Sequence, residues 1–324
     1  MNKYKQLTYK ERYQIYALLK EGLNFTQIAR NIGCHKSTIS REIKRNSLNN
    51  TRYSPDNASI ETFTRHRDKP KFIKITKVVK KYIHKYLKKD WTPEQVAGKL
   101  RRDSIVNISH ESIYQYIYKN KKSGGRLYLL LVHKAKKYNK RSSIYNSRGT
   151  INNRISIHKR PKIVDNKTRI GDWEVDLIIG KYHKGSIVTI VDRKSKFTLM
   201  KKLPTKESIG VTNTIIELMY PIKNISHTIT SDNGKEFSLH ENISNSLNID
   251  FYFCDPYSSW QRGLNENTNG LIRRYIPKKT EFENISDNEI MMIQNKLNHR
   301  PRKSLDYKTP FEVFFKEISS KMSA

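Results

Sequence analysis

Hydrophobic and polar positions in the first part of the chain recur with the period of an α-helix. Thr8 and Glu11 have the spacing of a capping box, in which the two side chains satisfy free amides of the first helical turn. Hydrophobic residues follow at helical spacing until Gly22, which ends the predicted helix. The same reasoning predicts a second helix over 24–33 and a third approximately over 35–45.

Three positions in this stretch fit a helix-turn-helix. Counted from Phe25, Ala29, Gly33 and Ile39 stand at positions 5, 9 and 15, which are the small-residue, turn-glycine and core positions of that motif. The residues predicted to face DNA from the third helix are His35, Lys36, Ser37, Thr38, Ser40, Arg41 and Lys44. Their side chains are of the types that contact base edges and phosphates. The alternative is an ordinary small helical bundle.

A second helical unit is predicted over 73–120. It contains an amphipathic stretch over 77–89, a capping box that begins at Thr92, and a further helix start at Ser109. The spacing is looser than in the first unit, so a second helix-turn-helix and a packing bundle both stay open. The segment 47–72 between the two units is predicted to be an exposed linker.

After residue 170 the pattern changes to short hydrophobic runs of strand length. The predicted elements are strands over 171–180, 186–192 and 196–200, a helix over 207–219, strands over 227–230 and 249–253, and a helix over 259–275. Three successive strands followed by alternating helix and strand is the order of an α/β ribonuclease-H-like domain. We therefore expect a mixed five-stranded sheet with flanking helices over 171–316, preceded by all-α helix-turn-helix domains and followed by a tail over 317–324.

Charge divides the chain at the same place. The chain carries 63 Lys and Arg against 30 Asp and Glu, and residues 1–170 account for 41 − 11 = +30 of the net +33. Residues 171–275 have a net charge of 13 − 12 = +1. A charge that served only solubility would not leave this part of the chain nearly neutral. The first half is therefore predicted to bind a polyanion. Residues 121–170 hold 15 basic residues and one acidic residue, and this basic connector can lie along phosphates.

Other features of the sequence narrow the class of protein. The longest hydrophobic run, 127–132, is far short of the roughly 20 residues that a membrane span needs. No hydrophobic stretch follows the basic N-terminus, so no secretory signal is visible. The two cysteines, Cys34 and Cys254, suggest neither a disulfide framework nor a zinc site. We expect an intracellular protein in a reducing compartment.

Three carboxylates stand where the predicted fold can bring them together. Asp176 lies inside the first strand, Asp232 at a strand end and Glu266 on a later helix, with 266 − 232 − 1 = 33 residues between the last two. Converging carboxylates repel one another unless cations neutralise them, and hard oxygen ligands suit Mg²⁺ or Mn²⁺. Two such ions about 4 Å apart can stabilise the attacking and leaving oxygens of a phosphoryl displacement.

Each of these carboxylates has a plainer interpretation. Asp172 and Glu174 share one face of the strand with Asp176, so strand parity cannot choose among them, and Asp192 is a further competitor. The sequence around Asp232 is a common turn. The catalytic interpretation therefore depends on the combination.

At these residues the sequence resembles the insertion-sequence transposases of the IS30 family, whose catalytic domain belongs with retroviral-type integrases. The resemblance is carried by 7–45, 171–178, 231–237, 255–257, 261–263, 265–267, 269–273, 297–303 and 309–314. It implies a catalytic and metal-binding triad of Asp176, Asp232 and Glu266, and it selects Asp176 over its acidic neighbours. It also implies two Mg²⁺ or Mn²⁺ ions.

The same resemblance implies partners and an activity. Double-stranded DNA is expected as the inverted repeats at the element's ends and as the target, bound by a homodimer or a larger synaptic assembly in the bacterial cytoplasm, at the nucleoid. Strand cleavage would be followed by strand transfer. Arg273, two helical turns after Glu266, either contacts DNA near the scissile phosphate or is a surface residue, whereas Trp260 and Leu264 are predicted to be core. A DNA-binding regulator and a nuclease that cuts without joining are the alternative functions.

Overall fold

The computed structural model describes residues 6–48, 52–68, 74–131, 151–256 and 258–322, and the chain divides into two units, Met1–Ile73 and Lys74–Ala324. The elements of the first unit are α1 (Tyr9–Lys20), α2 (Phe25–Ile32), α3 (Lys36–Asn46), β1 (Ser47–Leu48), β2 (Arg52–Tyr53) and α4 (Pro55–Asp68). Strands β1 and β2 pair antiparallel.

The predicted helix-turn-helix is confirmed in its local details. Capping boxes begin α1 at Thr8 and α2 at Asn24. Gly33 ends α2 with φ +75°, a left-handed conformation that glycine adopts at little steric cost. Ala29 and Ile39 are buried, so the small residue and the core residue of the motif stand where the pattern placed them.

The segment 47–72 differs from the exposed linker that we expected. Its described part contains β1, β2 and α4, and its side chains Tyr53 and Ala58 are buried in one core with Ile15, Ile28 and Ile39. The segment is polar overall, which is why its pattern resembled a linker. A few well-placed hydrophobic side chains are enough to bury one face of α4 against α1 and α3.

The second unit begins with the helices α5 (Lys77–Leu87), α6 (Pro93–Arg102) and α7 (His110–Lys122). The predicted capping box at Thr92 is confirmed. These helices share a hydrophobic core that includes Ile83, Leu100 and Ile113. They also contact the C-terminal part of the same unit, since the side-chain amide of Gln95 donates to the carbonyl of Pro301 at 2.9 Å.

The remaining elements form the predicted α/β domain. In chain order they are α8 (Lys162–Asn166), β3 (Asp172–Ile179), β4 (Ser186–Asp192), β5 (Thr198–Leu203), α9 (Ser208–Met219), β6 (Thr228–Ser231), α10 (His240–Leu247), β7 (Asp250–Phe253), α11 (Gly263–Ile272), α12 (Asp287–Asn298) and α13 (Pro310–Met322). The strand order is β5-β4-β3-β6-β7. Strand β4 is antiparallel to both β3 and β5, while β6 is parallel to β3 and to β7. This mixed five-stranded sheet is ribonuclease-H-like.

The two faces of the sheet pack against different helices. Trp173 and Val175 of β3 join a core with α9, α10 and α13. Ile178 joins a second core with α11 and α12. Because strand side chains alternate between faces, Asp172, Glu174 and Asp176 all lie on the α11 side.

Three segments differ from their predicted boundaries. The connector 121–170 lies partly outside the described residues, at 132–150, but its later part is not a solvated run. Ile151, Val164 and Ile170 are buried there, and Ser156 forms a parallel bridge with Phe253 of β7. The helix predicted over 259–275 is divided into a 3₁₀ turn at Ser259–Arg262 and α11. Most of the predicted tail belongs to α13.

Candidate active site

Three of the four competing acidic residues are held in buried structural contacts. Asp172 accepts hydrogen bonds from Arg169 at 2.9 Å and from Thr228 at 2.9 Å. Glu174 is bonded to Arg193 at 2.6 Å. The third, Asp192, accepts the backbone N–H of Gly171 at 2.7 Å and the backbone N–H of Ser195 at the same distance. All three are buried, and their carboxylate oxygens are engaged in contacts inside the protein.

Asp176 and Asp232 differ because they share one cation at the surface. The Arg262 guanidinium lies 3.1 Å from the Asp176 carboxylate through Nη1 and 3.1 Å from the Asp232 carboxylate through Nη2. The two carboxylate side chains are 24% and 25% exposed. Asp176, inside β3, and Asp232, directly after β6, are therefore two partly solvent-accessible carboxylates within reach of a single positive charge.

Neighbouring groups fix how each carboxylate points. The second oxygen of Asp176 accepts a hydrogen bond from the Asn269 amide at 2.8 Å, and that amide is itself held by the Thr189 hydroxyl at 3.1 Å. Asp232 accepts the backbone N–H of Gly234 at 3.0 Å. Fixed carboxylate orientations reduce the ordering cost of binding a cation.

Burial and neighbouring charges shift the pKa values of groups at this site. Burial raises the pKa of Asp176 above its ordinary value; the Arg262 charge opposes this shift and the Asp232 charge adds to it. Burial also raises the pKa of Glu236, whose carboxyl feels the charges of Asp232 and Asp176. Burial would lower the pKa of Arg262, but the two carboxylates outweigh it and raise the pKa.

Glu266 lies on the helix face that meets Asp176. Arg262 stands four residues before it and Asn269 three residues after it, and both neighbours contact Asp176. Residues three apart share one face of a helix, so Glu266 projects from α11 on the side of Asn269, whereas Arg262 lies in the 3₁₀ turn just before α11. The convergence that we expected of three carboxylates is nevertheless incomplete. In the described part of the chain no three Asp, Glu, His or Cys side chains are grouped so that they could hold a metal ion.

Arg273 lies on the same face of α11 one turn further on. Its guanidinium donates to the backbone carbonyl of Ile179 at 2.8 Å and lies over the ring of Phe282, 5.9 Å from its centroid. These contacts join the end of β3 to the chain that follows α11. A contact of Arg273 with DNA stays a prediction.

Trp260 differs from its prediction as a core residue, because its side chain is 74% exposed. The prediction extended a helical stripe through 259–275, but Trp260 lies in the 3₁₀ turn before α11, where that periodicity does not apply. Leu264, predicted as core on the same stripe, is only partly buried.

The seven residues predicted to face DNA lie at or near the surface of the first unit. His35 precedes α3 as its N-cap, and its ring accepts the backbone N–H of Ser37 at 3.2 Å. Ser37 and Thr38 are partly buried, whereas Lys36, Ser40, Arg41 and Lys44 are exposed. The cationic members therefore stand in solvent on one helix, as contact with phosphates requires.

Arg262 and Asn269 are the site residues to which sequence reasoning gave no role. Both lie within one helical turn of Glu266, and this spacing was the available signal. Glu236 was missed as well, although it follows Asp232 closely, because only the turn after β6 brings its carboxyl back toward that residue.

The architecture and the site define a class of protein. A helix-turn-helix unit and a ribonuclease-H-like domain with paired carboxylates at its sheet edge are the parts of an enzyme that recombines DNA. The helix-turn-helix domain family matches residues 3–46. The transposase for insertion sequence element IS4351 of Bacteroides fragilis is 46% identical over 96% of this chain and 95% of its own length. The chain belongs to the IS30 family of insertion-sequence transposases.

Further relatives agree with this assignment. The transposase InsI for insertion sequence element IS30A of Escherichia coli strain K12 is 34% identical over 97% of this chain and 84% of its own length. The transposase for insertion sequence element IS1086 of Cupriavidus metallidurans is 32% identical over 98% of this chain and 96% of its own length. The crystal structure of the catalytic core domain of BIV integrase has a TM-score of 0.39 and 19% identity, covering 47% of this chain and 98% of that one. The strand order, not this likeness, carries the fold assignment.

A search of the described helices found none with the length and hydrophobicity needed to cross a membrane.

Proposed function

We propose that this chain is the transposase of an insertion sequence: it binds the terminal inverted repeats of its element, cleaves DNA strands there and transfers the freed ends to target DNA. The observation that carries the proposal is the meeting of Asp176 and Asp232 at one guanidinium on the edge of the ribonuclease-H-like sheet. The printed names of the relatives, which are transposases for insertion sequence elements, support the same function.

The residues present fit divalent cations in part. Asp176 and Asp232 offer hard oxygen ligands that Mg²⁺ and Mn²⁺ prefer. Burial raises the pKa of Asp176, and a bound cation would oppose that shift. Glu266 would be the further ligand, brought by the face of α11 that carries Asn269. A pair of bound ions would stabilise the charge that develops on the attacking and leaving oxygens of phosphate.

The protein's own groups position the reacting parts. Asn269 and the backbone N–H of Gly234 hold the two carboxylates in fixed orientations. Arg262 supplies one positive charge to the two carboxylates. The buried contacts of Asp172 and Glu174 keep β3 rigid beneath the site.

DNA binding begins in the first unit. The exposed cations of α3 contact phosphates and base edges of the inverted repeat. Two ends of the element must be cut and joined together, so the active assembly is a homodimer or a larger synaptic complex. The ribonuclease-H-like domain then acts on ends that the helix-turn-helix holds in register.

Replacing one carboxylate of the pair tests this proposal. The Asp232→Asn variant should bind end DNA like the wild type and lose cleavage and strand transfer in Mg²⁺, because the amide keeps the shape and removes the charge. Asp250→Asn is the matched control, since Asp250 is an exposed carboxylate at the start of β7, and it should keep both activities. Cleavage retained by Asp232→Asn would remove Asp232 from the mechanism.

Supplying pre-cleaved ends separates the transposase from the alternatives. The wild type should join such ends to target DNA. A plain nuclease would yield no joined product, and a DNA-binding regulator would be indifferent to both carboxylate variants.

A further inference from the structure

A cleft of about 640 Å³ lies beside α11 in the second unit, on the flank of the helix that does not face Asp176. Its walls include Trp260 and the cationic residues Lys167, Lys196, Arg302 and Lys303. We propose that this cleft binds one unpaired nucleotide of the DNA substrate, with the base stacked on Trp260 and its phosphates held by the lysines. The inference rests on the proposed function in so far as the substrate is DNA.

The exposure of Trp260 is the first observation. Its side chain is 74% exposed, whereas Trp91 and Trp173 are 7% and 0% exposed. A large indole surface left in water is unfavourable, and an exposed aromatic beside cations is the arrangement that single-stranded nucleic-acid sites use, because every base has a face that can stack. The cleft volume lies within the roughly 300–1,000 Å³ of small-ligand sites, which suits one nucleotide and excludes a duplex.

The charges of the cleft favour an anion. Burial, together with a smaller contribution from the charge of Lys167, lowers the pKa of Lys196 to about 8. Two ammonium groups that disfavour each other gain from a phosphate between them. The Nε of Arg302 is buried without a hydrogen-bond partner, so the wall also holds an unused donor.

The acidic residue of the cleft does not cancel this charge. One oxygen of Glu174 is bonded to Arg193 at 2.6 Å, and the other accepts the backbone N–H of Asn265 at 3.1 Å. Both oxygens are thus committed to the protein. Lys303 makes an exposed ion pair with Glu94 at 2.7 Å, which a phosphate can replace at little cost because such surface pairs are weak.

The position of the cleft fits a nucleotide next to the cleavage point. Trp260 precedes Arg262 by two residues, and Arg262 holds both carboxylates of the site. The cleft and the carboxylate pair therefore flank one helix, whose width is about 10 Å. Enzymes that act within a duplex often displace a base into a pocket, and here the pocket stands one helix away from the acidic pair.

Intrinsic fluorescence can test the stacking directly. The first unit contains no tryptophan, and Trp91 and Trp173 are buried, so a solvent-exposed emission component reports Trp260. Titration of the full chain with an oligothymidylate, in metal-free buffer with a chelator, should quench this component. An abasic oligonucleotide of the same length, which keeps the phosphates and lacks the bases, should not quench it.

Affinity measurements on variants complete the test. Trp260→Ala should bind the oligothymidylate roughly tenfold more weakly, the effect of losing one base–aromatic stack, whereas Trp260→Phe should keep most of the affinity. The matched control is Tyr182→Ala, because Tyr182 is 75% exposed on another part of the same unit; it should bind like the wild type.

The inference would be overturned if the abasic oligonucleotide quenched the fluorescence equally, or if Trp260→Ala bound the oligothymidylate with wild-type affinity. It would also be overturned if Trp260→Ala changed the sedimentation of the protein without changing its DNA affinity, because the indole would then contact a protein partner. The assay needs neither metal nor cleavage. If the protein binds nucleotides in this cleft but does not transfer strands, the proposed function is refuted and the inference about the cleft stands. If it transfers strands but does not bind nucleotides in the cleft, the inference is refuted and the proposed function stands.

Discussion

The two helical units of the protein have similar local sequences and different surroundings. Each begins helices with capping boxes and buries a small hydrophobic core of its own. The first closes this core with α4, inside the unit Met1–Ile73. The second belongs to the same unit as the ribonuclease-H-like domain and is attached to its C-terminal part. A helix-turn-helix pattern therefore predicts the helices but not whether they form a separate body.

The attachment of the second helical unit is largely polar. Gln95, the capping-box residue of α6, accepts a hydrogen bond from Arg300 at 2.9 Å. Arg102 pairs with Glu312 at 2.8 Å. Gly98 on the same helix lies so close to the ring of Tyr307 that a Cβ would overlap it. One face of α6 is thus used for packing on the catalytic domain, which leaves less of the unit available to read DNA.

The largest expected effect comes from removing a core side chain in each helical unit. Ile28 and Leu100 are fully buried in the respective cores, and truncation of such a residue to Ala costs about 2–5 kcal/mol. In calorimetry of the full chain, Ile28→Ala should lower the midpoint temperature of the unfolding transition of the first unit only. Leu100→Ala should lower the midpoint temperature of the transition in which the ribonuclease-H-like domain unfolds.

The opposite pattern would break the comparison. If Leu100→Ala produced a separate early transition and left the catalytic domain unchanged, the second helical unit would be an independent body like the first. A shift of both transitions by Ile28→Ala would mean that the first unit depends on the second.

A smaller effect is expected at the contact between α6 and the C-terminal segment. Gly98→Ala should destabilise the second unit by about 1–3 kcal/mol, because the added methyl group overpacks against Tyr307. Gly210→Ala in α9 is the control, since a Cβ there meets nothing within 4 Å, and it should be neutral or slightly stabilising. Chemical denaturation measures both changes.

A double variant shows whether this loss has the stated cause. Tyr307→Ala should relieve the overlap, so Gly98→Ala should cost less in its presence than in the wild type. Additive losses would contradict the overlap and place the cost of the glycine substitution elsewhere.

A third comparison uses matched lysines late in α3 and α7. Lys44→Gln should weaken DNA binding and reduce the slope of log affinity against log salt by about one, the effect of losing a phosphate contact. Lys119→Gln, an exposed lysine of α7, should leave the slope unchanged. A fall of the slope in both variants would mean that the second helical unit also lies on DNA.

Much of the fold could be predicted from the sequence because its signals are local. Capping boxes, the turn glycine at position 33 and short hydrophobic runs depend on neighbouring residues, and the structure confirms them. Helices α4 and α10 escaped prediction because their patterns are mostly polar and few of their side chains are buried. Only tertiary packing shows which of those side chains are inside.

The candidate site shows the same limit. Strand parity placed Asp172, Glu174 and Asp176 on one face, as observed, but could not choose among them. The structure separates them by their partners and burial, because Arg169 and Arg193 neutralise the buried carboxylates of the first two, whereas the partly exposed carboxylate of Asp176 shares Arg262 with Asp232. Such pairing depends on residues remote in sequence, so no local pattern contains it.

The smallest expected effect concerns protonation of His84 in α5. Its ring lies 2.9 Å from the Tyr116 hydroxyl, and burial, together with the charges of Lys88 and Lys80, lowers its pKa. The unfolded chain binds this proton near the ordinary value of about 6.5, and the folded chain binds it only at lower pH. Between these values the unfolded state holds more protons, so stability falls as the pH drops and levels off below the folded pKa. The His84→Gln variant isolates this group, because the difference in acid sensitivity between the wild type and the variant is the contribution of His84. If the second helical unit and the catalytic domain unfold together, this difference should appear in their common transition between pH 7 and pH 5; its appearance in a separate transition would divide them.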